Sequence, residues 1–189
     1  MGLPELEALE AEVRACHACR LSAGRHQAVP GEGAAPAPLL VVGEGPGARE
    51  DELGRPFVGR SGQLLDALLA DETGLDRSGL YIANTVKCRP PGNRTPRPDE
   101  VEACRGFLAR QIHLVDPVVI VALGQSAAAW FLGPGARVGA LRGQVLEWEG
   151  RALVVTYHPS AALRGGAAIV AALRSDLARA SVALAERRR

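Results

Sequence analysis

Four cysteines, the only ones in the chain, fall as a C-x-x-C pair, Cys16 and Cys19, followed by Cys88 and Cys104. A C-x-x-C pair holds two thiolates close enough to share one metal or cluster, and two more sulfurs complete the set that a zinc ion or an iron–sulfur cluster takes. The competing arrangements are two disulfides or four buried apolar thiols. The first ten residues are acidic and amphipathic and lack the basic start and apolar run of a secretion signal. C-x-x-C in such a chain reads as metal or redox chemistry rather than a structural disulfide. Spacing alone does not separate zinc from iron and sulfur.

Three further segments carry side chains suited to ligand chemistry. Gly43-Glu44-Gly45-Pro46-Gly47 is followed by Glu50, Asp51 and a Gly54-to-Gly59 stretch that holds Phe57. Its glycines allow close backbone approach to a ligand, although it has neither the dinucleotide nor the P-loop pattern. Phe57 reads either as a satellite-core residue or as a platform on which a base stacks. Asn84 sits where a strand should end, and an Asn there is either a turn cap or an amide offering one donor and one acceptor to a planar ligand edge. His158, in Tyr157-His158-Pro159-Ser160 just after another strand, is a structural hydrogen-bonder or a functional imidazole, and the nearby Leu163 and Arg164 favour function.

The elements that must position these groups follow from hydrophobic spacing. A helix is expected over 3–15, with Leu3, Leu6, Leu9 and Val13 on one face. Buried strands are expected at 39–43, 80–86 and 118–124, and a hairpin at 143–149 and 152–156. Helices are expected from Ser61 as N-cap to Leu69, from Pro98 to Leu114, over 125–131 and from Gly166 to Glu186, with a solvated end at 187–189. Strands alternating with helices give an α/β fold around a mostly parallel sheet, and the 189 residues read as one domain over 1–189. Ligands in such sheets bind beyond the carboxyl ends of the strands, where all three segments converge.

With 47% hydrophobic and 23% charged residues the composition is that of a soluble globular protein, and no apolar run approaches the ~20 residues of a membrane span. A reducing cytoplasmic setting is expected. A net charge of +1 excludes a uniformly basic protein, yet Arg89, Arg94, Arg97, Arg142 and Arg164 in loops leave room for a local basic face. Of the 22 basic residues, Lys87 is the only lysine.

The segments and their order resemble the uracil-DNA glycosylase superfamily, and most nearly its iron–sulfur family 4. The resemblance runs over almost the whole chain: C-x-x-C, Gly-Glu-Gly-Pro-Gly, Gly-Arg-Pro-Phe-Val-Gly, Asn-Thr-Val-Lys-Cys-Arg-Pro-Pro-Gly-Asn-Arg and His-Pro-Ser. It implies a three-layer α/β/α sandwich with a four-stranded central sheet, and one [4Fe-4S] cluster on Cys16, Cys19, Cys88 and Cys104. It implies that the loop bearing Gly43 and Gly45 lines the pocket, that Phe57 stacks on a flipped uracil, that Asn84 hydrogen-bonds uracil O4 and N3, and that His158 hydrogen-bonds O2. Glu50 would lie near uracil C5, and the 158–164 loop with Ser160, Leu163 and Arg164 would enter the minor groove. Gly45 stands where family 1 has a water-orienting Asp. The adjacent Glu44 is then either a catalytic carboxylate or a structural cap of its loop.

The activity implied is monofunctional removal of uracil from DNA by a monomer, starting base excision repair. No lysine is placed for a Schiff base, and Lys87 is expected near the cluster rather than the sugar. Two other readings stand beside it: a wider range of deaminated bases such as hypoxanthine, and a non-catalytic nucleic-acid-binding module stapled by a metal.

Overall fold

The computed structural model describes residues 2–187. In chain order its elements are α1 (Gly2–Ala15), β1 (Glu32–Gly33), β2 (Leu39–Gly43), α2 (Ala48–Leu53), α3 (Arg60–Thr73), β3 (Tyr81–Asn84), α4 (Pro98–Val115), β4 (Val119–Leu123), α5 (Gly124–Leu132), α6 (Val138–Leu141), β5 (Leu146–Trp148), β6 (Arg151–Thr156), α7 (Pro159–Gly165) and α8 (Ala167–Arg187). No helix among the described residues is long and apolar enough to cross a membrane.

One sheet runs β1-β3-β2-β4-β6-β5. The four inner strands are parallel, and β1 and β5 add antiparallel edges. The sheet therefore has six strands where the resemblance implies four; β5 and β6 form the hairpin expected from spacing, and β1 is the strand that was not expected. The extra edge β1 is two residues long, too short to reveal a period of two in a Gly/Ala/Pro-rich stretch.

Period-two alternation sorts the inner strands into two cores. Leu40, Val42, Ile120, Ala122, Leu153 and Val155 face a layer built on α1, α4 and α5. Their neighbours Leu39, Val41, Val119, Val121, Ala152 and Val154 face α3 and α8, which supply Leu65, Leu68, Leu173 and Leu177. This is the three-layer α/β/α arrangement, and burial on both faces explains the unbroken apolar runs of β2 and β4.

Helix ends depart from the reading in instructive ways. The helix expected to start at Ser61 begins at Arg60 with Gly59 as N-cap, and no side chain caps it. Leu3 is 57% exposed, so the buried face of α1 is Leu6, Leu9 and Val13. The 158–164 segment is helical rather than a loop: His158 caps α7, its ring accepting from the Ser160 backbone N–H, with Pro159 at the first helical position. Pro98 does open α4, where Glu100 accepts from the Arg97 backbone N–H at 2.8 Å and from the Arg94 guanidinium at 2.8 and 2.6 Å. Arg94 foremost holds the Glu100 carboxyl down at about 2.

At the C-terminus, Arg188 and Arg189 lie outside the described residues. Arg187 is not free, since it pairs with Glu147 and donates to the Gly150 carbonyl. Two of the loop arginines are paired as well, Arg94 with Glu100 and Arg142 with Asp176. Among the described residues the other three of these loop arginines, Arg89, Arg97 and Arg164, have no ion pair.

Candidate active site and cysteine site

The carboxyl ends of the parallel strands open into a cleft of about 530 Å³. Glu44, Gly45, Glu50, Phe57, Asn84, His158, Ser160 and Arg164 all line it. Leu163 does not; it is 45% exposed.

The parallel register sets Gly43 beside Asn84. A Cβ on Gly43 would stand 2.4 Å from the Phe57 ring and 2.5 Å from Asn84 Oδ1, so only glycine lets these two groups close over the strand end. Asn84 is 2% exposed, and among the described residues its Oδ1 has no hydrogen-bond partner. An orphaned buried acceptor costs free energy in the free protein, so a ligand N–H at that point is the simplest reason for it.

Phe57 is held by its backbone. It adopts φ 52°, a left-handed conformation that a phenylalanine takes only under constraint. The Arg77 guanidinium supplies the constraint, donating to the carbonyls of Pro56, at 2.9 Å, and Phe57, while its Nε engages Asp66 at 3.0 Å. Gly62 leaves room for that carbonyl, since a Cβ there would lie 1.7 Å from Phe57 O. The Phe57 and His158 rings stack with centroids 5.6 Å apart and planes 29° from parallel.

His158 accepts at Nδ1 from the Ser160 backbone N–H at 3.1 Å. In the neutral ring the proton therefore sits on Nε2 as a donor. Burial pushes the ring down to about 4, Arg164 adds to this, and Glu50 opposes it.

Glu50 is a structural tie as well as a cleft residue. Oε1 accepts from the backbone N–H groups of Val58 and Gly59, each at 2.8 Å, and Oε2 from Gly47 at 3.1 Å. One carboxylate thus joins the glycine loop to the Phe57 loop. Gly45 packs against Val86, where a Cβ would be 2.8 Å from Cγ2, so any side chain there would have to push Val86 aside.

The Glu44 carboxylate accepts from Ser126 Oγ, while its backbone carbonyl accepts from Thr85 Oγ1 at 2.6 Å and from Val86 N–H at 3.2 Å. Ser126 stands in the first turn of α5, whose N-terminus favours a negative charge. Neither Ser126 nor Arg77 was singled out from sequence: each acts on a residue far along the chain and belongs to no motif.

The cysteines occupy a second site. Cys16, Cys19, Cys88 and Cys104 line one small cavity together with Arg25, Lys87 and Phe107, and none forms a disulfide. Arg25 Nη1 donates to Cys88 Sγ at 3.0 Å, and the Ala18 backbone N–H lies 3.4 Å from Cys16 Sγ. As thiols, Cys88 and Cys104 are pushed upward by burial, Cys104 to about 11. Among the described residues no three His, Cys, Asp or Glu side chains are drawn together tightly enough to hold a single ion. Lys87, as expected, is on this side rather than in the cleft.

Residues 30–178 match the family description of the uracil DNA glycosylase superfamily. The chain is 47% identical over 161 residues to the type-4 uracil-DNA glycosylase of Thermotoga maritima, covering 84% of this chain and 83% of that one. It is 45% identical over 170 residues to the type-4 uracil-DNA glycosylase of Pyrobaculum aerophilum, with 85% of each chain covered. Against the type-5 enzyme of the same organism identity falls to 33% over 148 residues, covering 70% of this chain and 65% of that one. On these likenesses the chain belongs to the uracil-DNA glycosylase superfamily, in its type-4 family.

Proposed function

We propose that the protein is a monofunctional uracil-DNA glycosylase that takes uracil out of DNA and hydrolyses its N-glycosidic bond. The observation that carries this reading is the buried, unpartnered Oδ1 of Asn84 beneath Phe57. Uracil N3–H would donate to Oδ1 and Asn84 Nδ2 to uracil O4, with the ring stacked on Phe57. Cytosine has an acceptor at N3 and a donor at the neighbouring exocyclic position, so both hydrogen bonds would be opposed.

Bond cleavage sends the C1′–N1 electron pair into the uracil ring, largely onto O2. The neutral His158 Nε2–H is the donor suited to that charge. The Glu44 carboxylate, oriented by Ser126, faces the positive sugar or holds the water whose oxygen joins C1′; the water's proton leaves with uracil or to solvent. Arg164 and Ser160 at the cleft rim, with Leu163 exposed on α7, form the element that enters the duplex and holds the gap. The four unpaired thiols fit a reducing compartment.

The four thiols line one cavity, and the resemblance to the iron–sulfur family makes a [4Fe-4S] cluster the group they would hold rather than zinc. Cys16, Cys19, Cys88 and Cys104 would hold it. Its chemistry here is a structural tie between the N-terminal helix, the strand-β3 exit and α4.

Labelled uracil in a single strand and in U:G and U:A duplexes should be released, giving alkali-dependent strand scission, while T:G should not. Metal analysis of the same preparation should find iron and broad brown absorbance. A colourless protein with about one zinc per chain would sink the cluster assignment. Tight DNA binding without base release would sink the enzyme.

The Arg77 strut gives a separate expectation. Alanine at Arg77 removes charge-assisted hydrogen bonds that hold Phe57, and free uracil should inhibit about tenfold more weakly, with visible absorbance unchanged. Equal inhibition constants would mean that Phe57 keeps its place without the guanidinium.

A further inference from the structure

Lys87 is the only lysine among 22 basic residues, and it is 1% exposed. A chain that uses arginine at every other basic position has kept a lysine at the one that is fully interior. Arginine's planar fork is bulky and fixed, whereas an ammonium is a compact charge with three donors that can reach in different directions.

Those donors join two sites. Nζ donates to the backbone carbonyl of Asn84 at 2.8 Å and to Gln111 Oε1 at 2.5 Å. Gln111, itself fully buried on α4, passes the network on to the Pro30 carbonyl at 2.7 Å and the Tyr81 hydroxyl at 3.2 Å. The same lysine lines the cysteine cavity, beside Cys104 and one residue before Cys88. Cys104 and Gln111 lie seven residues apart on α4, two turns along one face.

A buried ammonium is costly unless its charge is matched. Among the described residues Lys87 has no carboxylate partner; its two hydrogen bonds go to neutral oxygens. The negative charge within reach is that of the cysteine sulfurs once they act as ligands, for a metal or cluster takes thiolates rather than thiols.

We propose that Lys87 couples the two sites: its ammonium is the counter-charge of the filled cysteine site and, through the Asn84 carbonyl, fixes the amide that reads the base. Lys87 is thus a positioning residue, and loss of the group from the cysteine site loosens base recognition before it unfolds the domain. The inference rests on the glycosylase and iron–sulfur reading above.

The test uses the whole chain purified anaerobically with its cysteine site filled, as wild type, Lys87→Met, Lys87→Arg and Gln111→Leu. Each is followed by visible absorbance, by the rate of bleaching under an iron chelator, and by kcat, KM and inhibition by free uracil on a U-containing single strand. Lys87→Met is expected to bleach about tenfold faster and to raise both KM and the uracil inhibition constant about tenfold, with kcat within about threefold. Lys87→Arg keeps the charge but not the compact three-way reach, so it should leave uracil inhibition as weak as in Lys87→Met. Gln111→Leu keeps the charge but removes a tether, so its bleaching rate should match wild type while uracil inhibition weakens by about threefold.

A Lys87→Met protein with the wild-type bleaching rate, or with wild-type uracil inhibition, overturns the coupling. If that variant fails to fold, Gln111→Leu decides: wild-type uracil inhibition there overturns it too. A wild-type preparation without iron, or without uracil release, would instead overturn the reading on which the coupling rests.

Discussion

Alanine at Asn84 is expected to lower uracil release by about a thousandfold while leaving the protein no less stable. The rate loss follows from the two hydrogen bonds the amide offers to uracil N3–H and O4 in a buried cleft. Each unpaired group left behind costs about 1–3 kcal/mol, and about 4 kcal/mol together is a factor of about 10³. The stability expectation comes from the free protein, where Oδ1 has no partner to lose. Removing an orphaned buried acceptor is neutral or favourable to folding. The measurement is kcat/KM on U- and C-containing single strands beside a thermal melt. A variant that keeps nearly full rate and still rejects cytosine would place the base-reading group elsewhere.

Replacing His158 with alanine should cost about 10²–10³ in kcat, the usual effect of deleting one donor aimed at developing charge. The state of the ring gives this a second signature. Because burial keeps it neutral down to about 4, kcat/KM should carry no His158 inflection between about pH 5.5 and 8. An inflection near the ordinary value of 6.5, abolished in the variant, would mean that the imidazolium is the working form.

Stability carries the matching sign. Above 6.5 the ring is neutral whether the chain is folded or not, and it contributes nothing to pH dependence. From 6.5 down to about 4 the unfolded chain takes up a proton that the folded one refuses, so stability declines across that window. His158→Gln should decline less over the same range, read as the difference in melting temperature between pH 7 and pH 4.5.

The parts legible in sequence were those whose physics is local. The runs Leu39–Gly43 and Val119–Leu123 could only be strands buried on both faces, and Pro98 followed by acids marked the start of α4. The cleft residues were found because motifs place them at strand exits, where the fold class puts ligands. Glu50 shows the limit of that reasoning: the resemblance implies a ligand contact, and Glu50 does line the cleft, yet nothing in the sequence told that its oxygens also accept from three backbone N–H groups. Such ties depend on the path of two loops and leave no periodic mark. Ser126 reaches Glu44 across 82 positions and Arg77 reaches Phe57 across 20, so neither could be paired from one sequence. The helix at 159–165 does carry a sign in the sequence, proline at its first position.

Phe57 has a consequence for how such a chain adapts. A left-handed backbone at a residue other than glycine costs roughly 1–3 kcal/mol, which the surrounding contacts must override. Glycine at 57 would relieve that strain and remove the ring on which the base is proposed to rest. Pressure for heat resistance alone therefore pulls this position away from catalysis, and retention of an aromatic residue there marks a compromise between durability and activity.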